Sequence, residues 1–159
     1  MAEDQLTEHF RLYECRCRCG CGVEREHVPA LTAFCSKLEL LRTAINANPD
    51  YYSYRTLRPD GTLTELPIII ERAISCIPHN KAVDGKPESY HLDVTPVGRV
   101  YTGAADIHTG GVLSLHLLYA EAVKLFSGNI LYPRKGIVHV DVREGTVYCA
   151  INNSPGRIT

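Results

Sequence analysis

Two histidines and two aspartates are placed along the chain where they could build a metal-dependent catalytic site. His139 and Asp141 alternate with valines in the run 137–142, so a strand there would put the polar pair on one face and the valines on the other. His91 and Asp106 lie beside small residues or a polar loop, where a side chain is presented without being enclosed. A catalytic zinc keeps three protein ligands and leaves its fourth position for water, so two histidines and one aspartate are sufficient. Their spacing alone is not a motif, and a surface or capping role is the alternative for each histidine.

The amino-terminal cysteines form a second concentration of metal-ligating groups. They alternate with other residues over 15–21, and an extended segment would place all four thiols on one side. These cysteines are Cys15, Cys17, Cys19 and Cys21. Their spacing differs from the CxxC pairs of ordinary structural zinc sites, and Cys35 or Cys76 could complete a site. Two interpretations stay open: a thiol cluster that is metal-bound or disulfide-linked, and a solvated segment without a specific role.

The composition is that of one globular domain over residues 1–159, with a Cys-rich segment at about 11–27. Hydrophobic residues make up 45% and charged residues 22%, which excludes wholesale disorder and fibrous repeats. Seventeen basic and eighteen acidic residues give a formal charge of -1, so no overall field attracts nucleic acid or anionic lipid. A nucleic-acid-binding zinc protein, suggested by the Cys-Arg alternation, is disfavoured because aromatic residues do not interleave with those arginines.

The amino-terminal residues and the number of cysteines indicate the cellular compartment in which the protein is made. The first ten residues, MAEDQLTEHF, lack the basic and apolar regions of a secretory signal, so we expect synthesis in a cytoplasm without a signal peptide. No apolar run approaches the roughly 20 residues that span a bilayer, so no membrane insertion is expected. Seven is an odd number of cysteines, and in a reducing compartment free or metal-bound thiols are favoured over disulfides.

Two helices should position these groups. Apolar residues from Leu31 to Ile45 recur at intervals of three and four, with Pro29 in the first turn and a stop at 46–49. A second helical pattern runs from Val112 to Phe126, after two glycines and before another glycine.

The other elements should be strands. A hairpin is predicted for 51–55 and 62–66 around a turn at 58–61, and a buried strand begins at 67–70. The carboxyl-terminal part predicts three strands, which lie at 130–132, 136–142 and 146–151. Residues 144–145 would turn the last pair. We therefore expect an α+β domain with an antiparallel sheet flanked by two main helices.

Several blocks in this order resemble a known peptidase family. The main blocks are residues 89–91 (Ser-Tyr-His), 104–107 (Ala-Ala-Asp-Ile) and 136–142 (Gly-Ile-Val-His-Val-Asp-Val). They are similar to the signature blocks of the zinc D-alanyl-D-alanine carboxypeptidase and endopeptidase family, which shares its fold with the amino-terminal signalling domain of hedgehog. Residues 76–83, with 9–10 and 17–21, resemble the peptidoglycan-peptidase branch. The resemblance runs over nearly the whole chain.

The resemblance implies a compact domain of the hedgehog and D,D-peptidase type. It implies His91, Asp106 and His139 as zinc ligands and a peptidoglycan stem peptide as substrate. Zinc lowers the pKa of its bound water toward about 7 and needs a nearby base to take the proton. Asp141, roughly 7 Å beyond His139 on the same strand face, is the candidate for that base or for an orienting group. A supporting or turn-stabilising carboxylate is the equal alternative.

Three further side chains are candidates for the substrate side of the site: Arg72, Ser89 and His108. Ser89 would brace His91 through a hydrogen bond. His108, two residues beyond Asp106, would line the cleft. Many family members carry a Ser-Gly-Tyr-Arg run before the Cys-x-x-His-Asn block. Here that arginine is absent from its position, and Arg72 stands three residues before Ser75.

Two other features depart from the family pattern. Extra residues between His91 and Asp106 predict a small excursion around 96–98 that would overhang the site. Gly136 occupies the position where several branches have a glutamate or histidine base.

The leading functional hypothesis is a zinc peptidase acting on peptidoglycan. A phage or prophage endolysin that reaches the wall after membrane permeabilisation is one form of this hypothesis. The second hypothesis is a non-catalytic, zinc-stabilised wall-binding or virion structural module. Retention of all three ligands and Asp141 favours the enzyme, and the missing arginine and upstream base favour the module.

Overall fold

A five-stranded sheet, flanked by helices, forms the centre of this α+β protein. The computed structural model describes residues 4–21, 23 and 25–153, so positions 22 and 24 of the Cys-rich segment lie outside the described residues. The strands are β1 (Ile69–Arg72), β2 (Ala104–His108), β3 (Gly128–Tyr132), β4 (Ile137–Asp141) and β5 (Tyr148–Ile151). Their order across the sheet is β1-β2-β4-β3-β5.

The expectation of a fully antiparallel sheet is wrong at one pairing. β1–β2, β2–β4 and β3–β4 are antiparallel, but β5 pairs with β3 in parallel. The predicted turn at 144–145 therefore does not pair the last two strands in sequence. Both edges of β4 are already occupied by β2 and β3, so the chain must cross to the free edge of β3. Because the chain reverses direction after β4, β5 runs opposite to β4 and therefore parallel to β3, which makes the sheet mixed.

Four helices accompany the sheet among the described residues. They are α1 (Leu12–Cys15), α2 (Val28–Ala47), α3 (Ile77–Ala82) and α4 (Leu115–Ala122), with short 3₁₀ turns at Arg25–His27, Pro49–Tyr54 and Pro133–Lys135. The predicted apolar face of α2 is confirmed, since the six residues that recur at intervals of three and four are all buried: Leu31, Phe34, Cys35, Leu38, Leu41 and Ile45. The second helix is shorter than predicted because Ser114 caps it, accepting a hydrogen bond from the Leu117 backbone N–H at 3.3 Å. Val112 therefore precedes the helix and is exposed.

The predicted hairpin over 51–66 is reduced to its turn. Arg58 N–H donates to the Thr62 carbonyl at 2.7 Å, and one bridge joins Leu57 to Leu63. The expected first strand is instead the 3₁₀ turn Pro49–Tyr54. Asn48 caps that turn by accepting from the Asp50 backbone N–H at 3.0 Å. A proline in the first turn and an asparagine cap favour helical over extended backbone here.

The core lies between one face of the sheet and helices α2 and α4. Val138 and Val140 of β4 are fully buried in it, together with Phe34 of α2 and Leu118 of α4. The alternation along β4 sends His139 and Asp141 to the opposite face, as the sequence predicts. No helix among the described residues has both the length and the apolar character needed to cross a bilayer.

Candidate metal centre

The three residues predicted as metal ligands converge on one point. His91 Nε2 lies 3.2 Å from Asp106 Oδ1 and 3.0 Å from His139 Nδ1, and the last two atoms are 3.0 Å apart. Donor atoms around a tetrahedral zinc with bonds near 2.05 Å are separated by about 3.3 Å. These residues form a His-Asp-His group that could hold a metal ion. The donor set and its spacing fit zinc.

Two elements of the fold bring the ligands together. Asp106 and His139 are direct partners in the β2–β4 register, so their side chains lie on the same sheet face. His91 comes from a loop that is fastened to the chain after β1. Ser75 N–H donates to the His91 carbonyl at 2.7 Å, and Asp93 N–H donates to the Ser75 carbonyl at 3.1 Å. The loop thus delivers His91 to the end of a rigid sheet.

Each histidine is oriented through the ring nitrogen that faces away from the group. His91 Nδ1 lies 2.6 Å from the Ala73 carbonyl, so this nitrogen carries the proton and Nε2 is left with a lone pair. His139 Nε2 lies 2.9 Å from Asp141 Oδ2, which leaves Nδ1 to face the other ligands. Such partners fix the tautomer and orientation of metal-ligating histidines.

Asp141 is fully buried at the edge of the His139 ring opposite the three ligand atoms. Its carboxylate also accepts from the Arg143 backbone N–H at 3.1 Å and from Arg143 Nε at 2.8 Å, and Arg143 Nη2 forms a further ion pair with it. A Cβ added to Gly128, its partner on β3, would overlap this carboxylate. Of the two roles considered for Asp141, this geometry matches the orienting one.

The charges of the group are strongly coupled. Burial opposes ionisation of Asp106, but His91 and His139 hold the pKa of its carboxyl well below its usual range. Burial likewise opposes a charge on His139, whereas its hydrogen bonds to Asp106 and Asp141 raise its pKa to about 9. Burial lowers the pKa of His91. A cation bound here would replace the proton shared by these groups, so metal binding would release protons.

The group is closest to solvent at Asp106. Its side chain is 13% exposed, against 5% for His91 and 9% for His139. Arg72 of β1 pairs with Asp106 in register, and its guanidinium donates to Ser75 Oγ at 2.9 Å and to Asn80 Oδ1 at 3.0 Å. The predicted substrate-side arginine therefore lies beside the acidic ligand.

The other two predicted substrate-side residues lie near the group in different ways. Ser89 Oγ accepts from the His91 backbone N–H at 3.3 Å, so it supports the loop rather than the ring. His108 follows Asp106 on the same face of β2, and its Nε2 is 3.7 Å from Glu71 Oε2. Its Nδ1 accepts from the Gly110 backbone N–H at 3.0 Å. His108 thus belongs to the surface next to the ligands.

Three contributors to this site are not predicted from the sequence. The Ala73 carbonyl and Arg143 hold the two histidines, directly or through Asp141. Tyr132 shares the sheet face of His139, and burial, together with the Asp106 charge, raises the pKa of its phenol. Arg143 continues the alternation of His139 and Asp141, which was the available signal. A carbonyl partner leaves no signal in the side-chain pattern.

The excursion between His91 and Asp106 is a small loop folded back on the ligand segment. Thr95 N–H donates to the Arg99 carbonyl at 2.9 Å, and a single bridge joins Val94 to Val100. Arg99 Nη2 donates to the Ser89 carbonyl at 2.9 Å. The guanidinium groups of Arg99 and Arg143 both stack on the Tyr90 ring, at 4.2 and 4.5 Å from its centre. These contacts support the loop beside His91.

The thiol cluster differs from the predicted one in a single member. Cys15 lies in α1 and is buried, with its sulfur 4.0 Å from that of Cys35. The sulfurs of Cys17, Cys19 and Cys21 instead converge with that of Cys76, all within 4.8 Å of one another. A metal site at Cys15, Cys17, Cys19 and Cys21 is therefore wrong in its first member, because α1 directs Cys15 into the core. The four converging thiols could hold a metal ion.

In comparison with known proteins, the sequence matches no protein-family model and no curated protein.

Proposed function

We propose that this protein is a zinc metallopeptidase that hydrolyses a peptide bond in bacterial peptidoglycan stem peptides. The convergence of His91 Nε2, Asp106 Oδ1 and His139 Nδ1 carries this proposal. Three protein ligands with one position left for water are typical of catalytic zinc, whereas structural zinc sites are closed by four. The resemblance of the surrounding blocks to the zinc D,D-peptidase family supplies the substrate class.

Zinc, when bound, would lower the pKa of a water toward about 7 and polarise the scissile carbonyl. His91 and His139 would hold it through ring nitrogens whose orientation is set by the Ala73 carbonyl and by Asp141. Asp141 stabilises positive charge on the His139 ring and does not face the open side of the group. It is therefore an orienting residue in this proposal.

Substrate would approach from the side of Asp106, where the group is most exposed. Arg72 would offer its guanidinium to a carbonyl or carboxylate of the stem peptide. His108 and Tyr132 lie on the same sheet face and can exchange a proton or donate a hydrogen bond there. Released by lysis or permeabilisation, such an enzyme would act at the cell wall in the manner of an endolysin.

One observation favours the alternative of a non-catalytic, zinc-stabilised wall-binding or virion module. Gly136, at the position of a base in several related branches, is an exposed left-handed residue with φ of 71° at the end of a 3₁₀ turn. It carries no side chain that could take a proton. In that alternative the metal stabilises the fold while the site only binds peptide.

The test is incubation of the zinc-loaded protein with purified muropeptides, with product masses read by mass spectrometry. We expect new fragments from the wild type and from His116→Ala, which changes an exposed histidine of α4, and none from His139→Ala. A metal-loaded wild type that produces no fragment would contradict the enzyme. Co-sedimentation with intact cell walls in that case would support the binding module.

A further inference from the structure

The sulfurs of Cys17, Cys19, Cys21 and Cys76 converge, and all four lie within 4.8 Å of one another. Cys17 lies 3.3 Å from Cys19 and 3.8 Å from Cys76, and Cys19 lies 3.5 Å from Cys76. Sulfurs around a zinc ion with bonds of about 2.3 Å are separated by about 3.8 Å. A disulfide requires about 2.05 Å, so these contacts are those of neighbouring thiols. Three of the four sulfurs therefore have a spacing close to that of a zinc-thiolate site, and the Cys21 sulfur lies near enough to be the fourth ligand.

A turn in the backbone creates this spacing. In an extended segment, alternate side chains would lie about 7 Å apart, too far to share one ion. Instead Gly20 N–H donates to the Cys17 carbonyl at 3.0 Å, and Gly20 adopts a left-handed φ of 82°. The turn folds the three sulfurs of Cys17, Cys19 and Cys21 toward each other. Glycine is the residue that adopts this conformation without strain.

The fourth sulfur comes from a distant part of the chain. Cys76 directly precedes α3, and its Sγ accepts from the His79 backbone N–H at 3.4 Å. This hydrogen bond holds the Cys76 sulfur at the start of α3, where it contacts the sulfurs of Cys17 and Cys19. Cys17, Cys21 and Cys76 also line a cavity of about 190 Å³ with His27, a buried residue whose Nδ1 has no hydrogen-bond partner in the described part of the protein.

The surrounding charges suit a negatively charged centre. A divalent ion with four thiolates carries a net charge of -2. Arg18 lies within the cysteine segment, where its Nη2 donates to the Glu71 carbonyl at 2.6 Å. Arg72, which directly follows Glu71 in the chain, interacts electrostatically with both Cys17 and Asp106. Arg18 is also paired with the Glu71 carboxylate at 2.7 Å, so Arg72 is the guanidinium that offsets part of the excess negative charge.

We propose that Cys17, Cys19, Cys21 and Cys76 bind one structural zinc ion, which fastens the amino-terminal segment to the chain segment that holds His91. That segment runs from Ala73 to Cys76. The Ala73 carbonyl accepts from His91 Nδ1, and Ser75 is hydrogen-bonded to the His91 backbone. The thiolate site thereby acts as a clamp that positions a ligand of the His-Asp-His group. Metal binding by the thiols does not depend on the proposed hydrolysis.

The test uses Co(II) as a spectroscopic probe in the full chain, loaded after metal removal under reducing, oxygen-free conditions. We expect two cobalt ions per wild-type chain, with thiolate-to-cobalt charge-transfer bands. A His91→Ala/His139→Ala double variant should keep one ion and these bands. Cys19→Ser and Cys76→Ser should lose the bands and keep one ion, whereas Cys149→Ser, an exposed cysteine of β5, should keep two.

Absence of the charge-transfer bands from both the wild type and the double histidine variant would overturn the thiolate site. This readout needs no cysteine variant, so it holds even if a cysteine variant fails to fold, and it is independent of peptidase activity. The positioning role has its own readout. Cys76→Ser should bind metal at the His-Asp-His group roughly tenfold more weakly or worse. Unchanged metal affinity of the His-Asp-His group in a folded Cys76→Ser protein would overturn the positioning role of the thiolate site.

Discussion

His139 and Asp141, two residues apart on one face of β4, contact each other through Nε2 and Oδ2 at 2.9 Å. The same imidazole presents Nδ1 to His91 and Asp106, so one ring links a buried carboxylate to a metal-binding group. Arg143 in turn holds that carboxylate. Alternate positions along β4 and just beyond its end therefore supply a ligand, its orienting group and the residue that fixes the orienting group.

Replacing Asp141 should weaken metal binding in graded steps. In Asp141→Asn the amide oxygen can still accept from His139 Nε2 but without its charge, and in Asp141→Ala the partner is lost. Loss of a partner of this kind costs 10- to 100-fold in metal affinity as a rough guide, so we expect the order wild type, Asn, Ala. Competition with a chromophoric chelator measures the affinities.

Glu144→Gln is the matched control, because Glu144 is an exposed carboxylate three residues away. Its affinity for metal should equal that of the wild type. Equal affinity of Asp141→Ala and the wild type would contradict the orienting role. Activity lost in Asp141→Asn at full metal occupancy would instead support a direct part in proton transfer.

Gly128→Ala should disturb the same carboxylate from the other side. The added Cβ would overlap the Asp141 side chain, so the carboxylate must move away from His139. We expect weaker metal binding and a loss of about 1–3 kcal/mol in unfolding free energy, typical of overpacking. Denaturant unfolding and chelator competition measure the two effects.

A double-mutant cycle tests whether the effect of Gly128 acts through Asp141. In an Asp141→Ala background the atoms that the new Cβ would meet are gone, so Gly128→Ala should have little further effect. Additive losses in the double variant would show that the glycine is needed for another reason.

The sequence pattern predicts those parts of the fold and the site that depend on the periodicity within a single strand or helix. Alternation along 137–142 correctly placed His139 and Asp141 opposite the valines, and the apolar face of α2 was correct at all six positions. The parallel pairing of β5 was not predictable in this way. It depends on both edges of β4 being occupied, which is a property of the assembled sheet.

The thiol cluster illustrates the same limit. Periodicity along 15–21 treats four cysteines as equivalent, but α1 turns Cys15 toward Cys35 in the core. Its place is taken by Cys76, whose sulfur is 59 residues from Cys17 in sequence and 3.8 Å from it in space. A long-range contact of this kind carries no local pattern, although the presence of an additional cysteine was a usable signal.

Glu121→Gln should destabilise the protein at neutral pH and lose that effect in acid. Glu121 is buried in α4, where its carboxylate accepts from Tyr51 Oη at 2.8 Å and pairs with Lys124 at 2.6 Å. Burial opposes its ionisation, but the Lys124 and Tyr51 hydrogen bonds lower its pKa below the usual range. Loss of charge-assisted hydrogen bonds should cost about 1–3 kcal/mol.

The sign follows from the lowered pKa of Glu121. Its stabilisation is fully present above the pKa of an unfolded glutamate, about 4.3, and is lost as pH falls through the lower folded value. Urea unfolding of both proteins from pH 7 downward should therefore give converging free energies in acid. Glu88→Gln, at an exposed position, should match the wild type throughout. A constant difference at all pH values would contradict the assignment.

Arg72→Lys should reduce hydrolysis while leaving the metal in place. Arg72 divides its guanidinium between Ser75 and Asn80 beside Asp106, and lysine cannot reproduce this planar set of donors. Because the lost contacts include those proposed for the substrate, we expect kcat/KM on muropeptides to fall about tenfold or more, which corresponds to about 1.4 kcal/mol. Arg58→Lys, in the exposed turn at 58–61, is the control and should keep full activity. Metal analysis of both variants separates the two causes of a lower kcat/KM. A fall in kcat/KM at unchanged metal content supports substrate contact. A matching fall in metal content would show that Arg72 acts by holding the segment next to His91.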